Sequence, residues 1–126
     1  MTAPADVRLT LSVPPAAEQI STVRSFAFAV GRQEGLDPEA IEDLKLALSE
    51  VAANGIERGG SGIEVSVRPR PRRLEVSVRI PEADGPPAAS EIEEIDRSQI
   101  VRALFPSVRI DAEAGGITTT FSIERG

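Results

Sequence analysis

The sequence predicts an α/β sandwich of the α+β type, with helices in one layer covering one face of a mixed or antiparallel sheet. Four runs of alternating apolar and polar residues, beginning at Val7, Ile63, Leu74 and Ile117, are typical of half-buried strands. Two longer stretches after the first run repeat apolar residues at helical spacing. The resulting order of elements, β-α-α-β-β-α-β-β, favours two layers around one core.

The first strand covers residues 7–13 and is followed by Pro14 and Pro15. Proline ends a strand and suits a helix start, which predicts a first helix over residues 16–34. Gly35 is expected to end it, because glycine tolerates the left-handed backbone of a helix C-terminus. Its core stripe consists of Ile20, Val23, Ala27 and Val30.

A second helix is predicted from Pro38 to about residue 56. Asp37 is a good N-cap, and Pro38 suits the first helical position. At 100° per residue, Glu50 and Asn54 are predicted to lie roughly opposite the centre of the apolar stripe. That stripe consists of Ile41, Leu44, Leu48, Val51 and Ala52.

The second half of the sequence predicts a series of shorter elements. In order, they are a glycine-rich turn at 59–62, a hairpin of strands 63–67 and 74–80, a loop at 81–90, a helical turn at 91–95, a helix at 98–105, a strand at 108–111, a turn at 115–116 and a last strand at 117–123. No internal repeat is found, so residues 1–126 are expected to form a single domain.

Composition removes several classes of chemistry. The 126 residues include no Cys and no His, which excludes disulfides, thiol catalysis, Ser-His and Cys-His dyads and nearly all zinc sites. Carboxylates, amides, hydroxyls, arginines and the single Lys45 remain for any catalysis. Aromatic residues make up only 3% of the chain, so the core must consist mainly of Leu, Ile, Val and Ala.

Net charge and hydropathy limit the kinds of partner that the protein is expected to bind. A net charge of −6 disfavours direct binding of nucleic acid. No apolar run approaches the ~18 residues of a membrane span, and residues 1–6 lack the pattern of a signal peptide, so we expect a cytoplasmic protein. The arginines of 68–79 suit either an acidic partner or a solvated hairpin tip. The acidic residues of 91–96 suit either a basic partner helix or a charged loop.

Glu50 and Asn54 are the best candidates for chemistry. Four residues apart on a helix, their side chains lie on one face, one turn apart. A carboxylate there can orient or deprotonate a nucleophile, and an amide oxygen can ligate Mg²⁺ beside a phosphate. The alternative is a solvated helix face shared with Glu39 and Asp43.

Several segments have the order and spacing of one known family. They are Glu50-x-x-x-Asn54 on a helix, the strand, helix and strand at residues 74–78, 100–104 and 108–111, and Gly115-Gly116-Ile117-Thr118-Thr119 near the C-terminus. With these segments the sequence resembles the anti-sigma-factor serine kinases of the histidine-kinase-like ATPase superfamily, which have a Glu-x-x-x-Asn helix and a Gly-Gly-Thr-Thr segment. The resemblance extends from Val7 to Arg125.

The resemblance implies ATP and Mg²⁺ as cofactors, with Glu50 as general base and Asn54 as the Mg²⁺ ligand. It places Asp84, Gly85 and Thr118 against the nucleotide. Asp84-Gly85 is alternatively an ordinary turn, and residues 115–119 a hairpin turn with β-prone threonines. The sequence departs from the family where an Asp-x-Gly-x-Gly loop is expected, because residues 80–87 lack the second glycine and contain prolines, which have no N–H for a phosphate.

A second departure lies before the third helix. The family has a glycine-rich turn there, whereas residues 95–99 contain no glycine, and Asp96 would repel a triphosphate.

Three functions therefore remain open. The first is an anti-sigma factor that sequesters an RNA polymerase sigma factor as a homodimer, without dependence on ATP, and is released by a STAS-domain antagonist. The second is an active serine kinase that phosphorylates that antagonist. The third is an α+β interaction module that binds no nucleotide.

Overall fold

A computed structural model describes residues 7–82, 99–113 and 115–125 as two layers, helices packed on a five-stranded sheet. The elements are β1 (Leu9–Val13), α1 (Gln19–Gln33), α2 (Pro38–Glu57), β2 (Ile63–Pro69), β3 (Arg73–Pro81), the helical residues 99–104, β4 (Arg109–Glu113) and β5 (Gly116–Glu124). The strand order is β1-β2-β3-β5-β4, and every neighbouring pair is antiparallel. The predicted two-layer α+β fold is confirmed, and the sheet is antiparallel rather than mixed.

Helix α1 begins three residues later than predicted, at Gln19. After Pro14, the chain first makes tight turns, in which the N–H of Ala16 donates to the carbonyl of Pro14 and the N–H of Gln19 to that of Ala16. The helix ends as expected. Gly35 has a φ of 75°, and the N–H of Leu36 donates to the carbonyl of Gly31 at 2.9 Å, which is the bond pattern of a Schellman motif.

Helix α2 has the N-cap that the sequence predicts. The Asp37 carboxylate accepts a 2.8 Å hydrogen bond from the N–H of Ala40, and Pro38 occupies the first helical position. The helix ends at Glu57 with a second Schellman motif, because Gly59 has a φ of 77° and the N–H of Gly60 donates to the carbonyl of Gly55 at 2.9 Å. Both ends of α2 are therefore fixed by local bonds.

The core lies between α1, α2 and one face of the sheet. The strand register aligns inward-facing side chains in rows, of which two are Leu9–Val67–Val76–Phe121 and Leu11–Val65–Val78–Thr119. Leu44 and Leu48 of α2 are fully buried in this layer. Phe105, which follows the helical residues 99–104, stacks on Phe121 with ring centroids 4.5 Å apart and joins that segment to β5.

Some of the elements predicted for the second half of the chain lie outside the residues that the structure describes. The helical turn at 91–95 and most of the loop at 81–90 lie in residues 83–98, which are not described. The helix predicted at 98–105 is seen as helical residues 99–104. Among the residues that the structure describes, no helix is both long and apolar enough to cross a membrane.

Replacing Leu44 by alanine should destabilise the fold far more than the same change at Leu46. Leu44 is 0% exposed and Leu46 is 45% exposed on the same helix. We expect losses of about 2–5 kcal/mol and below about 0.5 kcal/mol, respectively. Urea unfolding followed by circular dichroism measures both, since the chain has no Trp or Tyr for fluorescence. Equal losses would contradict this packing.

The Glu75 carboxylate at the β2–β3 hairpin should titrate below its ordinary range. Hydrogen bonds from Arg73 and Arg70 lower its pKa from 4.5, because both cations favour the charged form. The stabilisation is present above the unfolded pKa and is lost as pH falls through the lower folded pKa. A carboxyl-carbon NMR titration should therefore show the Glu75 pKa rising in Arg73→Gln. Arg72→Gln is the matched control and should leave that pKa in place.

Candidate functional site

A narrow cleft lies on the helix-covered side of the sheet, between α2 and the ends of β3, β4 and β5. The helical residues 99–104 close one side of it. Its lining combines a few polar side chains with an apolar majority: Glu50, Val51, Asn54, Gly55, Arg58, Ile80, Val101, Ile110, Ile117 and Thr119.

Glu50 and Asn54 both line this cleft and are half-buried. The prediction that they lie opposite the core stripe is corrected, because they border buried Val51 and Gly55. The core is wider than the stripe indicates, since Val101 and the ends of β4 and β5 extend it past the edge of α2. An acid and an amide at this boundary are partly shielded from water, which strengthens their electrostatic interactions.

Arg58 extends the same helix face by one more turn. Residues 50, 54 and 58 are spaced four apart, which places a carboxylate, an amide and a guanidinium in succession along the cleft. Sequence analysis did not select Arg58, although the spacing alone could have found it. An acceptor at one end and a cation at the other suit a ligand with a hydroxyl or metal near Glu50 and an anionic group near Arg58.

Thr118, the predicted nucleotide contact, and Thr119 lie on opposite faces of β5. Thr119 is 5% exposed and lines the cleft. Thr118 lies in register with Arg79 on β3 and Asp111 on β4, and because strand residues alternate between faces, its side chain belongs to the face away from the cleft. The cleft therefore receives its hydroxyl from the second threonine of the pair.

Asp84 and Gly85 lie outside the described residues, so their predicted roles stay predictions. The segment that precedes them is held near the cleft. The N–H of Glu82 donates to the carbonyl of Gly115 at 2.8 Å, and the N–H of Ser61 donates to that of Pro81 at 2.9 Å. The end of β3 is thereby tied to both the α2–β2 turn and the β4–β5 turn.

Gly55 and Ile80 set the width of the cleft. A Cβ atom on Gly55 would lie 2.6, 2.9 and 3.0 Å from three carbons of Ile80, so only glycine lets this side chain pack against the helix.

The oxygen donors of the cleft suit Mg²⁺. Glu50 and Asn54 supply oxygen atoms, which are the ligands that Mg²⁺ prefers. Among the described residues, no group of three or more His, Cys, Asp or Glu side chains is placed to hold a metal ion. The expected cofactors, ATP and Mg²⁺, therefore stay predictions.

A family model described as "Histidine kinase-like ATPase domain" matches residues 13–123, which is most of the chain. The chain belongs to this family. The resemblance seen in Glu50, Asn54 and the Gly-Gly-Ile-Thr-Thr segment is thus confirmed at the level of the histidine-kinase-like ATPase family and its fold. No curated protein sequence matches the chain.

Among solved structures, the fold is similar to the crystal structure of the RsbU and RsbW domains of Rv1364c from Mycobacterium tuberculosis. The TM-score is 0.74 at 23% sequence identity, over 95% of this chain and 33% of the other. At that identity the likeness shows the fold alone. This member of the histidine kinase-like ATPase family spans about a third of the length of that protein.

Several cleft residues were missed by sequence reasoning. The sequence does point to Gly55, since an isolated glycine inside a strongly helical pattern implies a close packing contact. It also points to Thr119, because this residue lies on the same face of its strand as Phe121. No local pattern points to Val101 or Ile110, because they reach the cleft only through tertiary packing.

Gly55→Ala should destabilise the fold, although alanine is the better helix former by about 1 kcal/mol. The added methyl group overlaps Ile80, and we expect a net loss of about 1–3 kcal/mol in urea unfolding. Ile80→Val removes the nearest carbon, so the double variant should lose less than the sum of the single changes. Gly62→Ala is the control, since its Cβ would meet only the Val13 carbonyl at 3.7 Å. Strict additivity would rule out the contact.

Proposed function

We propose that this protein is an anti-sigma factor that binds and sequesters an RNA polymerase sigma factor in a partner-switching pathway, without requiring ATP. A STAS-domain antagonist would compete for it and release the sigma factor, and the anti-sigma factor would act as a homodimer. Membership of the histidine kinase-like ATPase family and the similarity in fold to a solved RsbW domain support this general role.

One observation carries the independence from ATP. The sequence departs from the family where phosphates would be held, because residues 80–87 contain one glycine and three prolines and residues 95–99 contain no glycine. Few backbone N–H groups are then placed to cradle phosphates. A family frame without these glycine loops suits a protein that works through protein–protein contacts alone.

A binding experiment with the sigma factors of its own organism tests the proposal. Calorimetry should give the same Kd with and without Mg²⁺–ATP, within about threefold, and Asn54→Ala should match the wild type. Asn54 is the informative position because its amide is the candidate Mg²⁺ ligand. No affinity for any of these sigma factors would sink the proposal. Binding that appears only with ATP would remove the ATP-independent part.

A second candidate is the serine kinase, favoured by the joint placement of Glu50 and Asn54 in one cleft. Glu50 would accept the proton of a serine hydroxyl on the STAS-domain antagonist, and the phosphate gained by that serine would change partner choice through its charge.

A phosphorylation assay separates the two candidates. The ATP-independent proposal expects no phosphate transfer to the STAS-domain antagonist. If transfer occurs, Glu50→Gln should reduce its rate by about 10²–10⁴-fold. Asp43→Asn, two helical turns before Glu50 and outside the cleft lining, should leave the rate unchanged. Equal rates for wild type and Glu50→Gln would remove the role given to Glu50.

A further inference from the structure

The face of the sheet that points away from the helices carries a row of small hydroxyl side chains. The strand register places Thr10, Ser66, Ser77 and Thr120 side by side across β1, β2, β3 and β5. Their chain neighbours, such as Val65 and Val78, are buried in the core, so the hydroxyls point outward. We call these four residues the hydroxyl row.

Side chains of opposite charge flank the hydroxyl row on both sides. On one side, Arg68 of β2 lies in register with Glu75 of β3. On the other side, Glu64 of β2 lies in register with Arg79 of β3, and the two form a 3.7 Å ion pair. The order across the row is therefore Arg-Ser-Glu on β2 and Glu-Ser-Arg on β3, read in the same direction.

This pattern is complementary to itself. A two-fold rotation about an axis along the hydroxyl row turns a second copy face to face with the first and exchanges the two flanks. Arg68 of one copy then faces Glu64 of the second copy, and Glu75 faces Arg79. Each contact occurs twice, and each joins opposite charges.

We propose that this face binds a second copy of the chain, with the hydroxyl row on the two-fold axis. This inference deepens the homodimer of the proposed function and rests on it. It adds which surface the two copies share and which residues meet.

The charges also select the direction of the axis. A two-fold axis running along β3 through Ser77 would set Glu75 against Glu75 and Arg79 against Arg79 of the second copy. Like charges brought face to face oppose association. The axis along the hydroxyl row avoids these clashes on the two central strands. Arg109 lies at the end of the row, on the edge strand β4, and faces Arg109 of the second copy. This contact is at the rim of the interface, where water and salt screen the repulsion between the two charges.

The residue types suit close contact between copies. The hydroxyl row presents only short side chains, so the two backbones can approach. The single Lys45 of the sequence lies on α2, which leaves arginine as the cation of this face. Arginine is enriched at interfaces and lysine is depleted, because the planar guanidinium is weakly hydrated and can make several hydrogen bonds at once. Glu75 already accepts hydrogen bonds from Arg70 and Arg73 of its own chain, and Arg79 already pairs with Glu64. Both side chains are half-buried rather than enclosed, so a second copy can add a further contact to each pair.

The size of the face indicates a modest affinity. Five strands about 4.8 Å apart and about 20 Å long present roughly 500 Å² per copy. That is near the lower end of specific interfaces, and the face is polar. We therefore expect a dimer that dissociates on dilution and weakens as salt is added.

Ser77 gives the sharpest test, because on this axis it faces Ser77 of the second copy. Sedimentation velocity over micromolar to millimolar concentrations should show a monomer–dimer equilibrium for the full chain. Ser77→Glu and Ser77→Lys should each weaken association by at least about 100-fold, since each sets two like charges together. An equimolar mixture of the two variants should associate again, because glutamate then faces lysine. Ser25→Glu, the same change on an exposed position of α1, should associate like the wild type.

A charge exchange provides a second arm that leaves Ser77 in place. Arg79→Glu alone should weaken the dimer, and Glu75→Arg combined with Arg79→Glu should restore it, because opposite charges face each other once more. Thermal unfolding by circular dichroism verifies that each variant is folded.

The outcomes separate this inference from the rest of the proposed function. A wild type that is monomeric at every concentration overturns the inference and the homodimer together, while sigma-factor binding is judged by its own calorimetry. A dimer that survives in Ser77→Glu, or one that Ser25→Glu abolishes, overturns only the assignment of this face. A mixture of the two Ser77 variants that fails to associate does the same.

Discussion

The packing of α2 on the sheet is the contact on which the rest of the structure depends. Leu44 and Leu48 anchor the helix in the core, and Gly55 lets Ile80 of β3 pack closely against its last turns. This contact fixes the rotation of the helix about its axis. The same rotation decides which way Glu50 and Asn54 point, so one packing arrangement sets both the stability of the core and the composition of the cleft.

Sequence periodicity was enough to predict most of the fold. Alternation at period two located the strands, and Asp37-Pro38 and Gly35 marked helix ends that the structure confirms with specific hydrogen bonds. The start of α1 was misplaced, because Pro14-Pro15 directs a turn before it permits a helix. Thr119 shows a different limit: its alternation with Phe121 indicates the core side, whereas the motif resemblance selected Thr118. Local periodicity better predicts on which face of a strand a side chain lies, and motif similarity better predicts the protein family.

The cleft illustrates what a local pattern cannot supply. The spacing of Glu50 and Asn54 predicted a shared helix face, but their partial burial depends on Val101 and Ile110, which are distant in sequence. Gly55 keeps one wall close to α2, so the described cleft is apolar and tight. An acid held at such a boundary can serve as a proton acceptor or as a polar contact for another protein.

The sheet has two ways to meet a second copy, through an edge strand or through its open face, and the sequence disfavours the edges. Strand β4 carries Arg109, Asp111 and Glu113, and charged side chains along an edge oppose the addition of another strand. Strand β1 is five residues long and is followed by Pro14 and Pro15, which limits the ladder that it could extend.

The open face of the sheet has no such protection. Its hydroxyl row is short enough for close approach, and its charges are arranged so that a second copy meets opposite signs in one orientation and like signs in the other. In the proposed dimer, resistance at the edges and complementarity on the face would direct association toward a closed two-fold pair, which could not grow into a fibre because each face is used once.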